Sequence, residues 1–225
     1  MGVLGAAGVG AVALITTRLG ARKSTAVPAG ADGDAVSNSV VTLIRRDEWG
    51  AREPAVSSGG RGENGPYHAV TNPNGWMVYD EPLDEVLRMV VLHHSALPLT
   101  DGPVEIQRLH MDERGFADVG YHFLIDEAGS LYEGRPLNVR GAHAHSFNSG
   151  SVGVCLLGNF ENNPPSQAQI MVLDALLTTL IDYYPSITRL AGHKDCNPGV
   201  TLCPGAHFYP LLDSIAQRHG LLYGI

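Results

Sequence analysis

The side chains best suited to chemistry in this sequence are two histidines at the ends of apolar runs and a cysteine in the loop that follows the second of them. His93 ends the run MVVLH, His193 ends ITRLAGH, and Cys203 lies ten residues after His193 in the loop KDCNPGVTLCPG. A catalytic zinc site usually takes three protein ligands of these types and leaves a fourth position for water. These residues are therefore candidate zinc ligands, although a single histidine at a strand end is more often a hydrogen-bonded core or surface group.

Two features leave alternatives to this ligand set open. His93 is followed directly by His94, and neighbours on a strand point to opposite faces, so only one of the two faces a given site. Cys196 has His-x-x-Cys spacing from His193, which makes it a rival ligand. A structural zinc site of His193, Cys196 and Cys203 with one further ligand would be coordinatively closed.

These residues must be positioned by a fold in which strands and helices alternate. Apolar or alternating runs predict strands at MVVLH, GYHFLID, LYEG, VGVCLLG and ITRLAGH, and amphipathic patterns predict helices at VEIQRLHMDERG, SQAQIMVLDALLTTLIDYY and LLDSIAQRH. Ser166 and Gln169 have the spacing of a capping box. The interleaving predicts an α/β fold, a single domain with a central mixed β-sheet flanked by helices and the zinc site at strand ends.

Length and composition predict one folded domain preceded by a tail. The chain has 225 residues, 44% of them hydrophobic, which suits one well-buried core. Residues 1–16 are apolar and uncharged and are interpreted as a signal or membrane-anchor segment, followed by a flexible linker at 17–40 and the domain at 41–225. The clusters GGRGENG and TNPNG predict a long surface excursion between residues 52 and 83.

Charge and cysteine content exclude two classes of protein. The formal net charge is -8, and no block of lysine and arginine occurs in the main body, so we expect no nucleic-acid partner. The three cysteines, Cys155, Cys196 and Cys203, cannot all pair with one another, which excludes a disulfide scaffold. Cys155 lies in the apolar run VGVCLLG and is interpreted as a small core residue.

Several separate motifs follow one another along the chain: LIRRDEWGAREP, HHSA, DVGYHFLIDEAGSLYEGR, GAHAHSFNSGSVGVCLLGNF, and the pair GHKD and CPG. Together they resemble the peptidoglycan recognition protein and type 2 N-acetylmuramoyl-L-alanine amidase family, and the first resembles the opening segment of the recognition-protein branch. The resemblance covers about residues 42–220. It implies that His93, His193 and Cys203 are the zinc ligands. His94 is then expected to pack in the interior or to support the ligands.

The same resemblance implies catalytic roles for Tyr121 and Thr201. Tyr121 stands where zinc-dependent members carry a tyrosine near the metal-bound water, and a regular strand would place it on the face of Phe123, with His122 on the opposite face. Thr201 lies two residues before Cys203, where active members place a lysine or a threonine close to the reaction centre. The loop that carries Thr201 is two residues longer than is usual in the family.

The resemblance also implies a substrate and a reaction. His143 in GAHA and Asn148 in FNSGS match positions that line the substrate groove, and His110 matches a packing position on a helix. The implied reaction is zinc-dependent hydrolysis of the amide between N-acetylmuramic acid and L-alanine in peptidoglycan or muropeptides. Such a substrate predicts an extracytoplasmic protein, secreted or attached to the membrane through residues 1–16. The alternative is a non-catalytic peptidoglycan-binding module, as in members without the cysteine, and the presence of Cys203 favours the enzyme.

Overall fold

The computed structural model describes residues 41–225, and the segments predicted at 1–16 and 17–40 lie outside the described residues. Seven strands form one sheet in the order β1-β4-β3-β5-β2-β6-β7. Neighbouring strands run parallel except β3 and β4, which are antiparallel. The predicted α/β fold with a mixed sheet is confirmed. The strands are β1 (Leu43–Ile44), β2 (Met89–His94), β3 (Phe123–Ile125), β4 (Leu131–Glu133), β5 (Ser151–Leu156), β6 (Arg189–Gly192) and β7 (Leu222–Tyr223).

Three of the helices follow the predicted amphipathic segments, and two helices of four residues lie outside those segments. They are α1 (Leu83–Val86), α2 (Pro103–Arg108) with a π-helical turn directly after it (Leu109–Glu113), α3 (Gln167–Tyr183), α4 (His193–Cys196) and α5 (Leu212–Arg218), with short 3-10 turns at Gly62–Asn64 and Tyr209–Leu211. The predicted capping box of α3 is present, because the Ser166 hydroxyl accepts from the Gln169 N–H and the Gln169 side chain accepts from the Ser166 N–H, both at 3.0 Å. None of the helices within residues 41–225 is long and apolar enough to cross a membrane.

The two faces of the sheet have different neighbours. On the first, which we call the core face, α3 and α5 pack over the alternate residues Val90 and Leu92 of β2 and the corresponding residues of β5. On the second, the site face, Ile106 of α2 packs with Cys155 in a smaller cluster. His93 shares the parity of Val91, so the strand period of two places it on the site face.

The excursion between residues 52 and 83 has little regular structure, as predicted, yet it is tied firmly to the domain. The Arg135 side chain is fully buried, pairs with Glu63 at 2.8 Å and lies 4.8 Å from the centre of the Trp76 ring. Arg140 donates to the carbonyls of Pro73 and Gly75. Buried guanidinium groups need such partners because an unpaired buried charge is strongly destabilising. The two arginines therefore hold the excursion against the loop that leads to the site.

Candidate metal centre

The structure brings the three predicted ligands together. The Nδ1 or Nε2 atoms of His93 and His193 and the Sγ of Cys203 lie within 4.8 Å of one another, and these three side chains form the group in residues 41–225 that could hold a metal ion. The Cys203 Sγ is 3.6 Å from the His93 Nδ1. Zinc at about 2.3 Å from sulfur and about 2.0 to 2.1 Å from nitrogen separates two tetrahedral ligands by about 3.6 Å. The three ligand types, and the separation of Cys203 from His93, therefore fit a zinc ion.

His93 reaches this position from the middle of the sheet. It is the fifth residue of β2, which lies between β5 and β6, and its side chain is fully buried. The next residue, His94, points to the opposite side, where its Nδ1 accepts from the Phe160 N–H at 3.1 Å. Of the adjacent pair, His93 is thus the residue whose side chain lies with His193 and Cys203.

The Cys203 thiol is held by a turn that returns to the start of α4. The Lys194 N–H donates to the Cys203 carbonyl at 2.9 Å, and the His94 N–H donates to the Cys203 Sγ at 3.4 Å. The hydroxyl of Thr201 accepts from the Cys203 N–H at 3.1 Å. This places the predicted catalytic threonine directly beside the cysteine, in spite of the longer loop.

His193 is positioned by a carboxylate that the sequence analysis did not single out. The Asp195 side chain accepts from the Gly192 N–H at 2.8 Å and from the hydroxyls of Tyr209 at 2.5 Å and Tyr223 at 3.2 Å. Three donors to one carboxylate fix the first turn of α4, whose first residue is His193. The sequence signal for this role was the Asp at the third position of the helix. The two tyrosines gave no such local signal, because they come from a distant part of the chain.

Burial keeps all three candidate ligands uncharged without a metal. It lowers the pKa of His93 well below its ordinary value, with the neighbouring His143 and His193 adding to the effect. Burial likewise lowers the pKa of His193. The Cys203 thiol has its pKa raised to about 12 by burial, partly offset by the His94 N–H. Neutral imidazoles are ready to bind a metal, while zinc binding must release the thiol proton.

Tyr121 lies against the same cluster. Its ring centre is 5.1 Å from that of His93 and 5.3 Å from that of His110, so the helix histidine His110 packs against it as expected. Burial raises the pKa of the Tyr121 hydroxyl well above its ordinary value, and a side-chain hydrogen bond with Cys155 contributes in the same direction. The hydroxyl therefore stays protonated and can donate a hydrogen bond.

The predicted strand face of Tyr121 is wrong. It packs with Leu124 and Cys155 on the site face, whereas Phe123 belongs to the core face. The reason is that β3 begins only at Phe123. Just before it, two consecutive carbonyls accept hydrogen bonds from the backbone that follows Glu133, the last residue of β4. The His122 carbonyl accepts from the N–H of the first residue after Glu133, and the Tyr121 carbonyl accepts from the N–H of the second. As in a β-bulge, this irregularity resets the alternation of side chains.

The two residues predicted to line the groove have mainly internal contacts. The His143 side chain is only 7% exposed, and its Nδ1 lies 3.0 Å from the His93 Nε2. The amide oxygen of Asn148 accepts from the backbone N–H groups of His143 and Ala144 at 2.7 and 2.8 Å. Asn148 thus shapes the loop that presents His143, and His143 lies behind a candidate ligand rather than on an open surface.

The other two cysteines lie outside the metal-binding group. Cys196 is buried with Val91 and Ala144, and burial raises its pKa to about 11. The rival structural site is therefore not assembled in residues 41–225. Cys155 is fully buried on β5, which confirms its interpretation as a core residue, and its contact with Tyr121 gives it a neighbour at the site.

The fold and the cluster together define an α/β protein with a mixed sheet and a His-His-Cys candidate metal centre. The profile of the N-acetylmuramoyl-L-alanine amidase family matches residues 83–206, more than half of the chain. The chain belongs to this family. The matched segment contains both candidate histidine ligands and the candidate cysteine ligand.

Individual relatives include recognition proteins and amidases. The chain is 33% identical over 178 residues to peptidoglycan-recognition protein SC2 of Drosophila melanogaster, covering 75% of this chain and 83% of the relative. Among solved structures, the endolysin N-acetylmuramoyl-L-alanine amidase LysCS of Clostridium intestinale is 34% identical with a TM-score of 0.55, covering 60% and 85%. A mutant of Drosophila PGRP-LB in complex with tracheal cytotoxin is 27% identical with a TM-score of 0.60, covering 76% and 93%. The resemblance to this family is confirmed.

Proposed function

We propose that this protein is a zinc-dependent N-acetylmuramoyl-L-alanine amidase that acts on peptidoglycan or muropeptides. The observation that carries the proposal is the convergence of His93, His193 and Cys203 within 4.8 Å, with Tyr121 packed against His93. When bound, zinc supplies a Lewis acid for the substrate carbonyl and lowers the pKa of a water molecule to about 7. Three protein ligands leave one position for that chemistry, as in catalytic rather than structural sites.

Tyr121 serves in this proposal as the hydrogen-bond donor at the reacting amide. Because burial raises its pKa, the hydroxyl keeps its proton at neutral pH and can donate to the carbonyl oxygen as negative charge develops there. Removing one such donor costs about 2.7 to 4 kcal/mol of transition-state stabilisation. Thr201, held beside Cys203 by the Cys203 N–H, orients the same carbonyl group through its hydroxyl.

The proposed bond is the amide that joins the lactyl group of N-acetylmuramic acid to L-alanine. Two comparisons support a peptidoglycan substrate: LysCS is an N-acetylmuramoyl-L-alanine amidase, and PGRP-LB was solved with tracheal cytotoxin. A net charge of -8 gives no attraction to anionic wall polymers, so recognition rests on contacts in the groove. The substrate and the apolar residues 1–16 favour an extracytoplasmic protein, secreted or membrane-attached.

A peptidoglycan-binding module without catalysis is the second candidate, because the chain is also similar to a protein named for recognition, peptidoglycan-recognition protein SC2. Incubating the full-length, zinc-loaded chain with a defined muropeptide separates the two. The amidase releases free stem peptide with a new amino terminus at L-alanine, which mass spectrometry detects, whereas the module binds the muropeptide and leaves it intact.

Matched variants of one loop complete this experiment. Cys203→Ala removes a proposed ligand, and Cys196→Ser changes a buried cysteine that packs with Val91 and Ala144. Release of stem peptide by the wild type and by Cys196→Ser, but not by Cys203→Ala, is the expected result. Muropeptide binding without cleavage by fully metallated wild type would refute the amidase.

A further inference from the structure

A chain of hydrogen bonds runs from the candidate metal centre into the protein. The His93 Nε2 lies 3.0 Å from the His143 Nδ1, and the His143 Nε2 lies 3.3 Å from the Ser151 Oγ. The Ser151 hydroxyl in turn lies 2.5 Å from the Phe147 carbonyl oxygen and 3.4 Å from that of Asn148. The groups are buried, so each hydrogen bond needs a defined donor and acceptor.

The carbonyl group at the far end of this series of hydrogen bonds determines which atom carries each proton. A carbonyl only accepts, so the Ser151 hydroxyl donates its proton to the carbonyl of Phe147. Its oxygen then accepts from the His143 Nε2–H, which leaves the His143 Nδ1 as an acceptor. The His93 Nε2 must therefore carry the proton of that imidazole. The remaining nitrogen, the His93 Nδ1, has a free lone pair and is the atom 3.6 Å from the Cys203 Sγ.

The backbone beside His143 has glycine at the two positions that its ring approaches most closely. A Cβ added at Gly141 or at Gly153 would lie 2.4 Å from the His143 Cδ2, well inside contact distance. Gly153 and Ser151 are alternate residues of β5 on the site face, so one strand supplies both the space for the ring and the serine that it bonds. His122 does not compete for the bond, because its nitrogens are engaged by the Gly153 N–H and the Val139 carbonyl.

We propose that His143, supported by Ser151, is a positioning residue that fixes His93 in the Nε2–H tautomer and aims its Nδ1 at the metal. The proposal rests on the proposed zinc site but not on the reaction catalysed there. An imidazole ligand whose other nitrogen is hydrogen-bonded is held in one tautomer and one orientation, and loss of such support typically lowers metal affinity by about 10-fold to 100-fold.

The first test measures zinc affinity by chelator competition in the full-length chain. His143→Phe keeps a ring but no acceptor for His93, and we expect a loss of affinity of about 10-fold to 100-fold. His143→Asn restores an acceptor oxygen near the Nδ1 position and should recover most of the affinity, while Ser151→Ala should cause a smaller loss than His143→Phe. The matched control is His110→Phe, a buried histidine that bonds the Gly120 N–H and should leave zinc affinity unchanged.

The second test needs no variant and no metal. Two-bond proton–nitrogen NMR correlations of metal-free wild type report which nitrogen of each histidine is protonated, and we expect Nε2–H for both His93 and His143. A proton on the His93 Nδ1 would overturn the proposal, as would wild-type zinc affinity in a folded His143→Phe. If His143→Phe does not fold, Ser151→Ala and the tautomers decide. Zinc binding without muropeptide cleavage would refute the proposed amidase activity but not the role of His143, because the two tests measure zinc affinity and histidine tautomers rather than activity.

Discussion

The two faces of the central sheet are built from the same strands but have opposite chemistry. On β2, Val90 and Leu92 are fully buried against α3 and α5 on the core face, whereas His93 lies on the site face. On β5, Val154 faces the core while Gly153 borders the His143 ring. On either strand, therefore, one residue packs into the core while the next residue faces the candidate metal centre.

This comparison predicts that substitutions on the site face change metal binding and turnover, whereas substitutions on the core face change stability. The two properties are separable because α3 and α5 bury most of the apolar surface on the side away from the candidate ligands. The sheet provides a rigid support for His93, since strand-borne groups keep their geometry better than groups on loops.

The largest expected effect is the loss of zinc when a ligand is removed. His93→Ala, His193→Ala and Cys203→Ala should each be isolated without zinc and without amidase activity, because two remaining ligands do not hold the ion. Metal analysis of the purified variants checks this. His94→Ala is the control, since that side chain points away toward Phe160. Zinc loss in His94→Ala with retention in His93→Ala would reverse the assignment of the pair.

Tyr121→Phe should separate turnover from metal binding. It removes one hydroxyl and keeps the ring that packs against His93, so zinc content should be unchanged while single-turnover cleavage falls by about two to three orders of magnitude. If the Tyr121 hydroxyl only satisfies a buried neighbour, the Phe variant should instead have a lower thermal midpoint and an unchanged rate per folded molecule. A fully metallated variant with the wild-type rate would remove Tyr121 from the mechanism.

A core-face substitution should give the opposite pattern. Leu173 on α3 is fully buried in the main cluster, and Leu173→Ala should lower the free energy of unfolding by about 2 to 5 kcal/mol through lost transfer energy and a cavity. Zinc affinity of the folded fraction should stay at the wild-type value. Denaturant unfolding and chelator competition on one preparation compare the two quantities, and a large affinity loss would show that the faces are coupled.

The buried histidines predict how stability changes with pH. Burial lowers the pKa of His110 to about 3 and that of His122 to about 4, so below pH 6.5 the unfolded chain binds protons that the folded chain does not. Stability should be full above about pH 6.5 and fall as the pH approaches 4, with His122 alone accounting for about 3 kcal/mol at pH 4. Unfolding with chelator present measures this.

The matched control for the pH profile is His110→Phe, which removes one of the titrating groups and should flatten the dependence between pH 6.5 and 4. A metal-free wild type whose stability does not change over this range would contradict the buried, neutral state of these histidines. A profile in His110→Phe as steep as that of wild type would assign the dependence to other groups.

The smallest effect is expected at Cys196. Its side chain packs with Val91 and Ala144, so Cys196→Ser should keep zinc and turnover and lose only a modest amount of stability from a buried hydroxyl. Zinc content and thermal midpoint are the measurements. A metal-free Cys196→Ser would restore the structural zinc site as an explanation of this loop.

The longer strands and helices could be predicted from the sequence because they have clear periodicities, whereas the two-residue edge strands and four-residue helices could not. The apolar run at 89–93 and the capping box at Ser166 predicted β2 and α3 correctly. The face of Tyr121 could not be predicted, because it depends on consecutive hydrogen bonds to the strand partner that interrupt the period of two. Local pattern determines the elements, but irregular pairing is set by long-range contacts.

In the candidate site, too, some features follow from the local sequence and others depend on long-range contacts. Spacing and residue type pointed to His93, His193 and Cys203, which come together from β2, the start of α4 and the turn after α4. The position of His143 behind His93 depends on the space that Gly153 leaves on another strand. Nothing in the spacing of GAHA alone distinguishes a buried support from a groove residue.

The central claim is that one face of this sheet carries a zinc ion bound by His93, His193 and Cys203 with one position open. X-ray absorption at the zinc edge of the full-length, zinc-loaded chain tests this most directly, because it counts sulfur ligands. We expect one sulfur at about 2.3 Å and the remaining ligands nitrogen or oxygen at about 2.0 to 2.2 Å. Two sulfur ligands would contradict the account, because Cys196 or Cys155 would then close a structural site.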